Sequence, residues 1–467
     1  MNEAAHHWLK ISKEITADYP VLSGGQTADY VVVGGGLSGL NAAIELARLG
    51  ASVVVLEQDT IGQAASGRNN GQVIPHHSRA SPSEMEQLLG SVRGHRYNSL
   101  VASAPTKLFE LIDRYAIRCD SVRNGWMQAC HSRQALDRGR TFYEEWKAFG
   151  ASVEWLDRDA LSERMGSVNY AGGWKATHAG HLNPYALCRG LARGAASDGV
   201  RLYEKSPAIA IVRDASKWSV RTPAGEVSAK GVLVTTNALT GDIWPGLRRS
   251  LIPVRIYQVA TEPLNEQQRR TVLPGNEGVS DTRRDLFACR YDSESRLEAI
   301  GTHTLWHKAA ARGQAAIMAK FRTVFPQLDG LKSTEYWEGT LAVVPDRIPR
   351  LMRLAPNLLF AGVYSGRGVA MSTVWGASAA RLLSGAATDA DMPVPVTSLR
   401  QITDMVLPSV SPASFTPGID SWTRSRLRLP DAENVAALSR KPAHDIGCCR
   451  IQCCRHFPTS AVPRPRS

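Results

Sequence analysis

Apolar and polar positions alternate in blocks along this chain, and the first block is the most regular. Tyr30 to Val33 are strand formers that run directly into glycines at Gly34, Gly35 and Gly36. Apolar residues then recur at helical spacing from Leu40 to Leu49, and Gly50 stops the pattern. Ala51 to Glu57 reads as a second, buried strand that ends in an acid. Ser83–Arg118 predicts two helices, and Ala135–Gly150 a third with Leu136, Phe142, Trp146 and Phe149 along one side, a core stripe rather than a ligand-stacking one. A helix follows from Asn183 to Gly199, then strand-like runs over Val200–Glu204, Ala208–Val212 and Trp218–Arg221. Pro223-Ala-Gly225 marks a turn, and Gly231–Asn237 is a buried strand ending in small polar residues. Residues 252–345 alternate short strands and loops with a helix near Lys308–Phe325, which predicts a mixed or antiparallel sheet. Asn357–Gly362 is a last apolar strand. It runs into Val363-Tyr-Ser-Gly-Arg-Gly368 and a helix of small residues up to Gly385.

The first block carries chemistry as well as structure. Strand, glycines, helix, strand and acid fall in the order of a dinucleotide-binding βαβ unit. Gly34 permits the tight turn, Gly36 lets a pyrophosphate approach the backbone, and Gly39 lets helix and strand pack closely. Leu37 and Ser38 open the helix whose N-terminal N–H groups and dipole favour an anion. Glu57, with Gln58 beside it, is placed to accept the hydroxyls of an adenosine ribose and disfavours a 2′-phosphate. These residues fix an ADP moiety without separating FAD from NAD.

The late strand–turn–helix at 357–385 changes the picture. A second glycine-rich helix start so far along the chain suits a long cofactor gripped from both ends, as FAD is. A helix N-terminus aimed at the flavin pyrimidine stabilises the anionic reduced form. The segment Ala65–Gln72 between them is too polar and glycine-rich to be a core element.

Composition narrows the classes further. A length of 467 residues suffices for two domains, at roughly 100–200 residues each. No apolar run of about 18 residues suggests a membrane span, and the N-terminus lacks the basic-then-apolar layout of a signal peptide. A cytoplasmic location is the expectation. Nine Lys/Arg against four Asp/Glu in residues 418–467 account for +5 of the formal +12. The rest is spread without a dense basic block, which argues against nucleic acid and leaves a mildly positive approach for an anionic substrate. Cys119, Cys130, Cys188 and Cys289 are scattered, as buried thiols are. Cys448-Cys449 and Cys453-Cys454 do not match zinc spacing, so no metal site is expected.

Taken in order, Gly34–Glu57, Ala65–Gln72, Gly180-His-Leu-Asn-Pro184, Arg290-Tyr-Asp with Arg296-Leu, Asp346-Arg-Ile-Pro349 and Tyr364–Gly368 resemble the FAD-dependent amine oxidoreductases of the D-amino-acid oxidase superfamily. That superfamily includes glycine and sarcosine oxidases, and the nearest branch is the gamma-glutamylputrescine oxidoreductase-like proteins. The resemblance covers roughly residues 18–395. It implies an α/β fold, α+β overall, with a Rossmann-like FAD-binding domain made of 28–98, 175–247 and 340–395. A mixed or antiparallel-sheet substrate domain would comprise 99–174 and 248–339. Residues 1–27 read as a leader and 396–467 as an atypical extension, in part disordered.

The resemblance also implies roles. Ser66, Gly67, Arg68, Asn69, Gly71 and Gln72 pass beside pyrophosphate and isoalloxazine. Ala208 offers its backbone amide to adenine, and Thr236 sits against the cofactor. Ser365, Gly366, Arg367, Gly368 and Val369 form the flavin-facing turn. Relatives that tether FAD use a histidine at the place of Arg68 or a cysteine near Thr340; neither stands here, so FAD is expected to bind non-covalently. The implied reaction is hydride transfer from the carbon beside an amine to the flavin, with oxygen or a quinone as the final acceptor and an oligomer allowed. His303 resembles a substrate-domain histidine of monomeric sarcosine oxidase. His76 or His77 reaches the pocket from the flavin loop, Arg290 holds a substrate carboxylate or makes a structural ion pair, and Tyr291, Trp337 and Tyr364 form walls or core. Two other readings stay open: a flavin-binding subunit of a multi-subunit opine or proline dehydrogenase, and a NAD-binding module.

Overall fold

A computed structural model describes residues 6–302 and 309–402. Two eight-stranded sheets organise it. In the first, strand Gly24–Val33 lies between Val53–Leu56 and Gly225–Val234, parallel to both, and Leu358–Gly362 continues the parallel set beyond Gly225–Val234. Val31, Val32, Val53, Val54, Val55 and Val232 are all buried, the near-continuous β-branched run that a sheet covered on both faces requires.

The register places function at one edge. Val33 pairs with Leu56 and Val234, and Val234 pairs with Phe360. The residues after each strand, Gly34, Glu57, Thr235 and Val363, therefore gather at the carboxyl end of the sheet, where open α/β sheets bind their ligands. Helices Leu37–Arg48 and Gly368–Ser384 leave this edge side by side. They approach so closely that a Cβ at Gly376 would lie 2.2 Å from the carbonyl oxygen of Ser38.

The second sheet runs Ser333–Val343, Ile252–Pro263, Arg296–Thr302, Ala288–Tyr291, Gly278–Asp281, Trp126–Cys130, Gly172–Ala176 and Val153–Leu156. It is antiparallel except between Gly278–Asp281 and Trp126–Cys130, the mixed sheet the alternating pattern predicts. Helix Ala309–Val324 covers one face, where Ile317 and Phe321 join Tyr257, Phe287 and Val259 in a core. The opposite face meets the loops of the first sheet.

The predicted helices recur within a few residues of their expected ends. Ser81 caps Pro82–Leu89 with a full capping box, and Asn183 Oδ1 accepts from Ala186 N at 3.0 Å to start Pro184–Ser197. Residues 6–27, read as part of a leader, carry ordered elements. The first strand begins at Gly24, and Trp8, on the short helix His7–Lys10, is 1% exposed.

Candidate flavin site

The first glycine turn is built by close approach. Gly34 has φ +107°, in the left-handed region open to glycine. A Cβ on Gly39 would stand 1.9 Å from the Gly34 carbonyl oxygen, so helix and strand touch there through bare backbone. A Cβ on Gly36 would meet Ser66 Oγ at 2.7 Å, and that hydroxyl already accepts from Leu37 N at 3.0 Å. Ser66 thus stands at the N-terminus of helix Leu37–Arg48, where an anion would lie. Glu57 is buried beside this turn; its carboxylate accepts from Gly35 N at 2.8 Å and Asp59 N at 3.0 Å. Burial pushes its pKa up, and the backbone donors pull the other way. Gln58 next to it is exposed and Ala208 half-buried. The Thr235 hydroxyl reaches the glycine turn, donating to the Val33 and Gly34 carbonyls at 3.0 and 3.1 Å. Thr236 donates to Thr240 Oγ1.

The loop after the second strand is fixed from several sides. Asn69 ties it internally, donating to the carbonyls of Ala65 and Ser66 and accepting from Gly71 N. Gly67 and Gly71 have no room for side chains, with hypothetical Cβ atoms 2.0 Å from the carbonyl oxygens of Gly62 and Leu182. Arg68 donates to Gln63 O at 2.6 Å and reaches Glu338 O at 3.3 Å. Gln72 departs from the expectation. Its amide donates to Val279 O and Cys289 O and accepts from Trp126 Nε1, so its side chain fastens the loop to the second sheet.

The C-terminal turn comes to the same place. Tyr364 Oη and Ser38 Oγ lie 2.6 Å apart, joining the two glycine-rich motifs across 326 positions of sequence. Val363, Ser365 and Gly366 have φ of +66°, +48° and +90°. Two of them are non-glycine residues held in a strained region, as functional turns often are. Arg367 precedes helix Gly368–Ser384, whose start has no side-chain cap, and Val369 is buried in its first turn. Burial, with Arg347 and Arg79 nearby, lowers the Arg367 pKa to about 10, which leaves it charged at neutral pH.

His76 borders a cavity of ≈ 30 Å³ with Tyr97, Tyr364 and Arg367. Its ring packs against both Trp126 and Trp174, with centroids at 4.5 and 4.9 Å, and the two indoles meet each other edge-on at 5.8 Å. Nδ1 is 3.1 Å from the His77 carbonyl, which can only accept, so Nδ1 carries the proton and Nε2 the lone pair. Burial drives its pKa well below the ordinary histidine value. His77 borders the same cavity and pairs with Asn98 Oδ1 at 2.7 Å. Arg290 takes the structural part. It is 2% exposed and donates to the carbonyls of Asn70, Tyr291 and Leu182 at 2.7–2.8 Å, with Glu298 at 3.9 Å. Its donors hold backbone, which corrects the expectation of a bidentate carboxylate clamp. Tyr291 donates to Val272 O within the second core, and Trp337 donates to Arg68 O. His303 lies outside the described residues.

Buried polar atoms without protein partners test whether a cofactor fits. They include both amide atoms of Asn70, Nε2 of His76, Oγ of Ser365 and Nε of Arg367, contributed by the flavin loop and the C-terminal turn. Buried groups of this kind need a partner, and donors and acceptors in such a set suit the heteroatom edges of an isoalloxazine. The residues fit FAD. Sequence reasoning missed Thr235, which differs from its expected neighbour by one position, and Trp8, which carries no motif.

Fold and site are those of a dinucleotide-dependent oxidoreductase. The chain belongs to the DAO family of FAD-dependent oxidoreductases, whose pattern matches residues 29–382. Gamma-glutamylputrescine oxidoreductase of Escherichia coli is 32% identical over 379 residues, covering 80% of this chain and 85% of that protein. A probable oxidoreductase, OrdL, of Haemophilus influenzae is 31% identical over 356 residues, 75% and 81% of the two chains. Glycine oxidase from Geobacillus kaustophilus superposes with a TM-score of 0.64 at 23% identity, covering 77% of this chain and 95% of that one, a likeness of fold. Among the described residues no helix is long and apolar enough to cross a membrane.

Proposed function

We infer that this FAD-dependent oxidoreductase oxidises the C–N bond of an amine or amino acid. The observation that carries the reading is the meeting of two distant glycine-rich turns through Ser38 and Tyr364, beside a cavity bordered by a neutral histidine. The relatives named for gamma-glutamylputrescine and glycine support an amine donor. When bound, FAD supplies the hydride acceptor for the carbon beside nitrogen, and water then hydrolyses the resulting imine to a carbonyl compound and a free amine.

The chain's own residues hold and orient. Gly34, Gly36 and Gly39, with Leu37, Ser38 and Ser66, receive the pyrophosphate; Glu57 and Gln58 receive the ribose, and Ala208 the adenine. Arg68, Asn69, Gly71 and the backbone at Gln72, together with Ser365 to Val369, would hold the ring. The uncapped helix at Gly368 and the charged Arg367 favour negative charge there. His76 Nε2, an open lone pair, accepts a hydrogen bond from an N–H of the neutral amine and orients it; because burial makes this imidazole a weak base, the ammonium proton goes to solvent before the amine binds. FAD is non-covalent, since Arg68 and Thr340 stand where relatives carry tethers. Oxygen or a quinone as acceptor, a cytoplasmic location and assembly into an oligomer belong to the same proposal.

Anaerobic mixing with a panel of amines and amino acids tests it. The flavin band is expected to bleach with at least one of them, and the speed of its return on admission of air separates an oxidase from a quinone-linked dehydrogenase. An FAD-loaded protein that no amine bleaches refutes catalysis and leaves a flavin-binding subunit.

A further inference from the structure

The middle of the flavin loop is gripped from outside at consecutive carbonyls. Arg68 O accepts from Trp337 Nε1 at 3.0 Å and from Gln258 Nε2, Asn69 O accepts from Trp8 Nε1 at 2.8 Å, and Asn70 O accepts from Arg290 Nε at 2.7 Å. Trp337, Gln258 and Arg290 belong to the second sheet. Trp8 alone comes from the N-terminal segment, 61 positions before its acceptor.

That segment is anchored independently of the loop. The Arg290 guanidinium lies 4.2 Å from the centre of the Trp8 ring, Trp337 meets the same ring edge-on at 5.8 Å, and Asn183 Nδ2 donates to Trp8 O at 2.9 Å. His7 Nε2 is 2.8 Å from Asp292 and 3.1 Å from Glu298, both fully buried. Two cations, His7 and Arg290, face two anions, so the cluster is balanced without solvent.

We propose that the N-terminal segment is a brace for the flavin loop, with Trp8 as a positioning residue that sets the Asn69 peptide beside the cofactor and His7 as its anchor to the second sheet. The proposal rests on the assignment of Ala65–Gln72 to the flavin. Trp8 acts through the Asn69 carbonyl. It removes a freedom the loop would otherwise lose on binding FAD, so its loss weakens binding at a distance.

The test uses the full chain and FAD itself. Trp8→Phe keeps a ring against Arg290 and Trp337 but removes the donor. The expected result is a rise of roughly 3–10-fold in the FAD dissociation constant, the loss of one hydrogen bond, together with an altered absorbance envelope of the bound flavin. Lys10→Ala, in an exposed pair with Glu335 on the same short helix, is expected to change neither. The paired change His7→Asn with Asp292→Asn preserves charge balance while loosening the anchor, and is expected to shift FAD affinity in the same direction; it decides the matter if Trp8→Phe does not fold. Unchanged affinity and spectrum overturn the brace and leave Trp8 as core alone. Gly36→Ala separates the two levels. If it binds FAD normally, the site assignment fails; if it loses FAD while the Trp8 and His7 variants do not, only the brace fails.

Discussion

Alanine at Gly36 and alanine at Gly39 place the same methyl group one helical turn apart, and the structure assigns them opposite consequences. At Gly36 the methyl meets Ser66 Oγ at 2.7 Å and Ser66 Cβ at 3.6 Å. Rotation of one serine side chain relieves the overlap, and the fold loses about 1 kcal/mol with the hydrogen bond from Leu37 N. The methyl and the displaced hydroxyl then occupy the approach of the pyrophosphate. An overpacking penalty of about 1–3 kcal/mol there corresponds to a rise of roughly 5–150-fold in the FAD dissociation constant. At Gly39 the methyl lies 1.9 Å from the Gly34 carbonyl oxygen and 2.8 Å from Thr235 Oγ1. Backbone cannot rotate aside, so the helix must move off the strand, costing the fold about 3 kcal/mol or more. FAD titration and thermal melting of the FAD-free protein are the two assays. Gly36→Ala is expected to melt near the parent and bind FAD poorly, and Gly39→Ala to melt far below it. A Gly36→Ala protein that binds FAD as the parent does refutes the assignment of this turn to the pyrophosphate.

Tyr364→Phe removes the hydrogen bond to Ser38 between the two motifs; roughly 1 kcal/mol, or about fivefold in FAD dissociation, is expected in stopped-flow release. His7 gives a pH dependence. Burial alone lowers its pKa, but hydrogen bonds to Asp292 and Glu298 outweigh this and hold it up at about 9. With an unfolded value near 6.5, its stabilisation is complete below about pH 6.5 and is lost as pH rises through about 9. Urea midpoints are expected to fall over that interval in the parent and to flatten in the His7→Asn/Asp292→Asn pair. His76→Phe keeps a ring against Trp126 and Trp174 and removes Nε2. Flavin content is expected to hold while amine-driven reduction slows by roughly 3–10-fold, the loss of one orienting hydrogen bond; an unchanged reduction rate assigns His76 to the core.

The parts of the site that were legible in the sequence are those whose physics is local. Gly34, Gly36 and Gly39 are dictated by one turn and one helix contact, and Ser365 to Gly368 by a positive-φ turn before a helix. The buried strands announce themselves by unbroken Val-rich runs, and alternation over 252–345 foretold the mixed sheet. What stayed hidden depends on distant partners. Trp8 and His7 look like a polar leader because Asn69, Asp292 and Glu298 lie far along the chain. Arg290 and Gln72 sit in family motifs and invite a ligand role, yet the structure engages their side chains with backbone and with Trp126. Thr235 and Thr236 differ by one step of strand register, and composition cannot separate them.

Flavin reduction by an amine deuterated at the carbon beside nitrogen tests the central claim most directly. Stopped-flow absorbance of the FAD-loaded protein without oxygen is expected to show bleaching that slows several-fold with deuterium, because that C–H bond breaks in the step. Bleaching indifferent to deuterium under single-turnover conditions, or no bleaching by any amine that binds, contradicts an enzyme that takes hydride from the carbon of a C–N bond.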